Sequence, residues 1–246
     1  MLIESGKNKT LVVVGPTGSG KTGVAVDLAL RFGGEIISAD SRAIYKGMDI
    51  GTAKPTAIEM RGVRHYGIDL VRPGERFTVA DFKQYCEASI GEIRARGKWP
   101  MIVGGTGLYV DAVVFDYQFT DDVKKTCSDR TEMSADYVVM GVKWGRDELR
   151  ARLTERANKI FAQDIVGETK RLVETYGWDN QAMTSNIYPI VWRMMNGEIT
   201  EEEAKRLSVL ADWHLAKRQL TWLARNKEII WLTLDEIENY VYNLSR

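Results

Sequence analysis

The segment that decides the fold of this chain is Gly15-Pro16-Thr17-Gly18-Ser19-Gly20-Lys21-Thr22. It lies between the apolar run 11–14 and a helical pattern over residues 20–32. A strand, a Gly-x4-Gly-Lys-Thr loop and a helix, in that order, are the context of a phosphate-binding loop. Glycines let consecutive backbone N–H groups face one point, where the helix also presents its positive end. We therefore expect residues 15–22 to bind a di- or triphosphate, with Lys21 adding positive charge and the Thr22 hydroxyl placed to bind Mg²⁺.

The composition is that of a globular protein. The 246 residues are 44% apolar and 28% charged, enough for one large domain or for a core and a smaller appendage. Basic and acidic residues number 34 each, which argues against non-specific nucleic-acid binding but allows a local basic face. Cys86 and Cys127 lack the spacing of metal ligands or of a disulfide framework. With no signal peptide and no membrane-length apolar run in the sequence, we expect a cytoplasmic protein that acts as a monomer.

Strand and helix patterns alternate along the first half, which predicts an α/β fold with a parallel sheet flanked by helices, as in P-loop NTPases. The C-terminal half is predominantly helical. The patterns predict strands over 10–14, 35–38, 66–70, 99–103, 136–142 and 228–232, and helices over 20–32, 78–96, 108–115, 146–177, 183–195, 200–225 and 235–244. Residues 46–56 are rich in turn formers and predict a loop, and residues 116–134 are polar and weakly periodic.

Polar residues follow two further strands. Asp40 comes after strand 35–38, and Thr106 lies in a Gly-rich turn after strand 99–103. The carboxyl ends of parallel strands meet at one edge of a sheet, so both residues should lie near the phosphate loop. Asp40 could be linked to magnesium, as in most P-loop NTPases, or could act as a general base. Thr106 could contact a ligand or only cap the helix that follows.

The long helix over 200–225 has Thr200 as its predicted N-cap and Glu203 as the capping-box partner. Arg218 and Arg225 lie on its apolar stripe, with Ala204, Leu207, Ala211, Leu215 and Trp222. Two interpretations are open: the arginines extend from the edge of the core to solvent, or a bound phosphate group neutralises Arg218.

Four motifs, in order along the chain, resemble the tRNA dimethylallyltransferases. Residues 40–56 resemble the signature D-S-x-Q-V-Y-x-x-M-D-I-G-T-A-K-P of that family, and the match continues through 79–82, 103–109 and 215–223. The resemblance implies a P-loop fold used for prenyl transfer. The donor would be dimethylallyl diphosphate, and the acceptor the exocyclic amine of the adenosine just 3′ of a tRNA anticodon.

The resemblance also implies roles for individual residues. Residues 15–22 would hold the diphosphate together with Arg218, Thr22 would help to hold Mg²⁺, and Lys21 would neutralise the leaving group. Asp40 would accept the proton of the adenine amine, and Thr106 would contact the target nucleotide. The tRNA would lie against Asp40, Ser41, Arg42, Ala43, Thr106 and Lys54.

The chain departs from the family pattern in the half that reads tRNA. A larger helical insertion of the family is reduced here to residues 116–134, which leaves 1–115 and 135–246 as the core. Ala43 stands where the signature has Gln, Trp213 where the family has Arg, and Ile187-Tyr188-Pro189 in place of Gly-Tyr-Arg. Three alternatives therefore stay open: a prenyltransferase for free adenine nucleotides, an ATP-dependent small-molecule kinase, and a non-catalytic RNA-binding protein. A kinase would need an Arg-rich lid, whereas residues 116–134 contain only Arg130.

Overall fold

The structure, a computed structural model, describes residues 9–119 and 132–246. These residues form a six-stranded sheet in the order β3-β2-β4-β1-β5-β6, and every neighbouring pair is parallel. The strands are β1 Thr10–Val14, β2 Gly34–Ala39, β3 His65–Tyr66, β4 Trp99–Gly104, β5 Tyr137–Val142 and β6 Ile230–Leu232. The predicted parallel α/β sheet is confirmed, and it has the P-loop NTPase-like order in which β1 is central.

Helices cover both faces of the sheet and make up most of the C-terminal half. They are α1 Lys21–Phe32, α2 Ala57–Met60, α3 Val79–Ala95, α4 Gly107–Val114, α5 Arg146–Phe161, α6 Ile165–Tyr176, α7 Tyr188–Met195, α8 Glu201–Leu223 and α9 Leu234–Leu244. A 3₁₀ turn, Gln181–Thr184, precedes α7. None of the helices in the described ranges is both long enough and apolar enough to cross a bilayer.

The core is organised by the alternation of side chains along β1. Leu11 and Val13 join one apolar cluster with α1 and α9, whereas Val12 and Val14 join a second cluster with α3 and α4. A third apolar cluster includes Met48 of the loop over 46–56 together with Ile165 and Tyr188 from the C-terminal helices. Burial of β1 on both faces fixes the start of the phosphate loop at the carboxyl edge of the sheet.

Several predicted boundaries are wrong for local reasons. The helix predicted over 146–177 is two helices, because the Asp164 side chain accepts from the Gly167 N–H (2.9 Å) and begins α6 as an N-cap. The strand predicted over 66–70 is only the two-residue β3, since Gly67 and Asp69 have φ of +77° and +55°. The helix predicted from 183 begins at Tyr188, with Pro189 in its first turn.

The buried face of α8 also differs from the predicted stripe. Its buried residues are Ala204, Ser208, Ala216 and Leu223, and Arg218 is exposed. Thr200 caps the helix as predicted, accepting from the Glu203 N–H, but the Glu203 carboxylate binds Arg206 (2.7 Å). Arg218 is therefore not a charge within the core. Its exposure agrees with a side chain that extends to solvent, and the binding of a phosphate group by Arg218 stays a prediction.

Candidate active site

The phosphate loop is held open by two glycines in left-handed conformations. Gly18 has φ +76° and Gly20, the N-cap of α1, has φ +78°. Residues other than glycine rarely adopt this backbone conformation. Within the described ranges, the N–H groups of Gly18, Gly20, Lys21 and Thr22 meet no protein acceptor. Free N–H groups at a helix N-terminus are suited to bind an anion.

Lys21 adds a positive charge to the phosphate loop, and its pKa is lowered. Its ammonium donates to the Pro16 carbonyl (3.2 Å). Burial lowers the pKa of Lys21 to about 8, the Asp40 carboxylate opposes this shift, and the Arg156 guanidinium adds to it. Lys21, Asp40 and Arg156 are thus close enough to interact electrostatically, and a bound anion would stabilise the protonated amine.

Asp40 and Thr106 meet because β2 and β4 are adjacent, with Ala39 opposite Gly104. The Thr106 hydroxyl accepts from the Ser41 N–H (3.0 Å) and lies 3.3 Å from the Ser41 hydroxyl. One oxygen of Asp40 accepts from the N–H groups of Arg42 (2.8 Å) and Ala43 (3.4 Å). Thr106 makes no side-chain cap for α4, so it links the turns after β4 and β2.

Gln219 joins these parts and was not assigned to the site by the sequence. Its side-chain carbonyl accepts from the Thr17 N–H (2.8 Å), and its amide donates to the Gly105 carbonyl (3.0 Å). A Cβ on Gly105 would lie 2.5 Å from that amide nitrogen and 3.0 Å from the Gly15 carbonyl oxygen, so a side chain at position 105 would displace the Gln219 amide. Gln219, which directly follows Arg218, therefore contacts both the phosphate loop and the turn that contains Thr106.

Two arginines of α5 border the loop and were also missed. Arg152 donates to the Gly18 carbonyl (2.7 Å), and a Cβ on Gly20 would lie 2.9 Å from its guanidinium. Arg156 donates to Asp212 (3.2 Å) and to the Thr52 carbonyl (3.2 Å). The four-residue spacing of the pair, beside the apolar stripe of α5, was the available signal in the sequence.

The buried carboxylate of Glu168 holds the loop over 46–56 in place through hydrogen bonds. Glu168 is 3% exposed, and its carboxylate accepts from the N–H groups of Asp49 (2.9 Å), Ile50 (2.8 Å) and Gly51 (2.9 Å) and from the Tyr188 hydroxyl (2.8 Å). These bonds fix the turn that carries the Gly51–Lys54 motif. Nothing in the sequence pattern indicated that Glu168 would be buried.

Two residues expected at the tRNA surface face inward. The Lys54 side chain is 5% exposed and forms ion pairs with Asp49 (2.7 Å) and Asp69 (2.6 Å), so its ammonium is already neutralised. The Ala43 side chain is buried. The geometry speaks against a direct tRNA contact by either side chain. Ser41 and Arg42 remain partly exposed, and Arg42 donates to the Gln181 carbonyl (3.0 Å).

A groove of about 520 Å³ runs along the C-terminal half of α8. Its lining is predominantly basic: His214, Lys217, Arg218, Thr221, Trp222 and Arg225. Trp222 is anchored by a bond from its indole N–H to Asp111 of α4 (2.6 Å). The chain therefore has a local basic surface although its basic and acidic residues are equal in number, and Arg218 is part of that surface.

The chain matches models of two related protein families. The model described as IPP transferase matches residues 43–136 and 119–227, and the model described as isopentenyl transferase matches residues 8–73. The two IPP transferase segments meet over 119–136, where the shortened insertion is predicted. That insertion stays a prediction, since residues 120–131, and with them Cys127 and Arg130, lie outside the described ranges.

Curated relatives and solved structures agree with the family models. The chain is 32% identical to a tRNA dimethylallyltransferase of Bacillus cytotoxicus, over 96% of this chain and 93% of that protein. It is 33% identical to one of Desulforudis audaxviator, over 92% of both. Its fold superposes on the tRNA isopentenylpyrophosphate transferase of Bacillus halodurans with a TM-score of 0.85, 31% identity and 97% coverage of both chains. This chain therefore belongs to the IPP transferase family.

Proposed function

We propose that this protein transfers a dimethylallyl group from dimethylallyl diphosphate to the exocyclic amine of the adenosine 3′ of the anticodon in tRNA. The observation that carries the proposal is the position of Asp40. Asp40 directly follows β2, its carboxylate is close enough to interact electrostatically with Lys21 of the phosphate loop, and the N–H of the adjacent Ser41 donates to the Thr106 hydroxyl. A carboxylate beside an anion site can serve an incoming nucleophile while the anion leaves. Membership in the IPP transferase family supports the same reaction.

In the proposed reaction, one carbon–nitrogen bond forms, one carbon–oxygen bond breaks and one proton is transferred. The amine nitrogen forms a bond to the allylic carbon as the bond from that carbon to the diphosphate oxygen breaks, and the proton of the amine passes to Asp40. The loop N–H groups, Lys21 and Arg218 stabilise the negative charge that develops on the diphosphate. Arg152 and Arg156 lie beside the same loop and add to its positive field. Thr106 holds the Asp40–Ser41 turn in place and faces the target nucleotide.

Magnesium fits this site only as a partner of the diphosphate. In the described ranges, no three acidic, histidine or cysteine side chains form a metal-binding cluster. Mg²⁺ usually binds substrate phosphates and water with few protein ligands, and the Thr22 hydroxyl in the first turn of α1 is such a ligand. A bound Mg²⁺ would neutralise charge on the leaving diphosphate.

The basic groove supports tRNA as the acceptor. A stacked adenine must leave its loop to reach a recessed site, and single-stranded loops are the RNA elements most readily opened in this way. The groove along α8 adjoins Gln219, which contacts the phosphate loop. A free adenine nucleotide would need no such extended basic surface. The monomeric state and the cytoplasmic location are parts of the same proposal.

The test is incubation of the protein with labelled dimethylallyl diphosphate and three separate acceptors: unmodified tRNA, an anticodon stem-loop and AMP. We expect label on the tRNA and, more weakly, on the stem-loop, in a reaction that requires Mg²⁺. Asp40→Asn is the matched inactive control. Label on AMP alone would refute the proposed acceptor and favour a free-nucleotide prenyltransferase.

A further inference from the structure

Three cations surround one indole where α5 and α8 pack together. Arg146 and Arg150 of α5 lie 5.6 and 5.5 Å from the centre of the Trp213 ring, and the Lys217 ammonium lies 6.0 Å from it. All three cations are exposed, and the ring itself is half-buried. We call these four residues the Trp213 cluster. Within the part of the chain that the structure describes, it shares no hydrogen bond or ion pair with residues 15–22 or with Asp40.

The charges of the Trp213 cluster are not neutralised. Within residues 9–119 and 132–246, none of its three cations forms an ion pair with a carboxylate. The first turns of α8 differ, because Lys205 binds Glu201 (2.6 Å) and Arg206 binds Glu203 (2.7 Å). A contact with an aromatic face holds a cation in place but leaves its charge available to an anion.

The Trp213 cluster adjoins the active site. Lys217 belongs to it and also lines the basic groove, together with Arg218. The next residue, Gln219, contacts the phosphate loop at Thr17. A polyanion that occupies the groove would therefore meet the cluster at Lys217.

We propose that Arg146, Arg150 and Lys217, positioned by Trp213, bind a phosphodiester of the substrate RNA outside the nucleotide that is modified. The inference rests on the proposed function. Guanidinium groups bind phosphate oxygens in a fixed two-pronged geometry, and releasing the counterions of a polyanion favours such contacts. The site is open and made of exposed side chains, which suits an RNA backbone better than a small free anion that needs enclosure.

The test uses the full chain with Arg146, Arg150 and Lys217 all replaced by Gln. The matched control replaces Lys159, Arg171 and Arg206 by Gln, because these are exposed cations that are paired with Glu155, Asp164 and Glu203. Both variants lose three positive charges. Binding of fluorescently labelled tRNA is followed by anisotropy over a series of KCl concentrations, and KM for dimethylallyl diphosphate is measured separately.

For the cluster variant we expect tRNA binding about 10- to 100-fold weaker at low salt, and a salt slope smaller by about one or two. The control should bind tRNA nearly as the wild type does, and KM for dimethylallyl diphosphate should be unchanged in both. Trp213→Leu should weaken binding by about three- to tenfold because the cations lose their support, and Trp213→Phe should restore most of it.

Two results would overturn the inference. One is equal tRNA affinity and salt slope in the cluster variant and its control. The other is a rise in KM for dimethylallyl diphosphate without a change in tRNA binding, which would assign the cluster to a small anion. Because anisotropy reports binding without turnover, the outcome is independent of prenyl transfer. A wild-type protein that binds tRNA through the cluster but transfers no label would refute the proposed function alone.

Discussion

Replacing Glu168 by Gln should destabilise the fold strongly, although the two side chains have nearly the same shape. One carboxylate oxygen accepts from the N–H groups of Asp49 and Ile50, and the other from the Gly51 N–H and the Tyr188 hydroxyl. A glutamine has only one oxygen. Its amide can keep the first pair of bonds, but its NH₂ group would then face two donors.

The loss of stability divides among the four hydrogen bonds of the Glu168 carboxylate. The Tyr188 hydroxyl can rotate to accept from the new NH₂ group, so that contact changes direction at little cost. The Gly51 N–H cannot rotate, and a buried N–H without an acceptor costs about 1–3 kcal/mol. The remaining two bonds go to a neutral rather than a charged acceptor and lose about 0.5–1 kcal/mol each. We therefore expect Glu168→Gln to lower the free energy of unfolding by about 2–5 kcal/mol.

Urea unfolding followed by far-UV circular dichroism measures this loss. Tyr188→Phe is the matched control, because it removes one donor and leaves the carboxylate with its three backbone bonds, for a loss of about 1–2 kcal/mol. The double variant should lose less than the sum of the two single losses, since both act on the same carboxylate oxygen. A Glu168→Gln protein within 0.5 kcal/mol (about a twofold change in the unfolding equilibrium) of the wild type would refute this reasoning.

Three further predictions concern the chemistry. Asp40→Asn keeps an acceptor for the Arg42 N–H but removes the proposed general base. We expect kcat to fall by about 10²- to 10⁴-fold, while diphosphate binding stays nearly unchanged. Wild-type turnover in this variant would exclude the general-base role. Arg218→Ala should weaken binding of dimethylallyl diphosphate by about 10- to 100-fold in a titration, and an unchanged affinity would remove Arg218 from the diphosphate site. Because burial lowers the pKa of Lys21 from 10.5 to about 8, the free protein loses this charge above pH 8, and KM for dimethylallyl diphosphate should rise by up to about tenfold per pH unit there. Between pH 8 and pH 10.5, Lys21 is protonated in the unfolded chain and largely deprotonated in the folded protein. The free energy of unfolding should therefore rise with pH through this range. Urea unfolding measured at pH 8 and at pH 10 would detect the increase.

Local patterns predicted most of the fold. The apolar run before Gly15 and the helix signal after it located β1 and α1, and the Thr78–Asp81 capping box located the start of α3. The misplaced features depended on tertiary context. The periodicity of α8 was compatible with more than one buried face, and packing against α5 and α7 selected the face with Ala204 and Ala216.

The site was predicted where its residues follow strands and missed where they lie on distant helices. Asp40 and Thr106 were found because the carboxyl ends of adjacent parallel strands converge. Gln219 is 202 residues from the Thr17 N–H that it contacts, and no local pattern indicates such a contact. Lys54 was misjudged because a lysine in a polar loop is usually solvated, whereas here Asp49 and Asp69 enclose it.

The bond between Gln219 and the Thr17 N–H also sets the order in which the site can mature during synthesis. Translation at about 5–20 residues per second places roughly 10–40 seconds between the appearance of these two partners. During that interval the nascent phosphate loop lacks the helix that ties it to the Thr106 turn. The loop therefore acquires its final geometry only after α8 has left the ribosome, and a stalled chain that ends before residue 219 would present a phosphate loop without its basic groove.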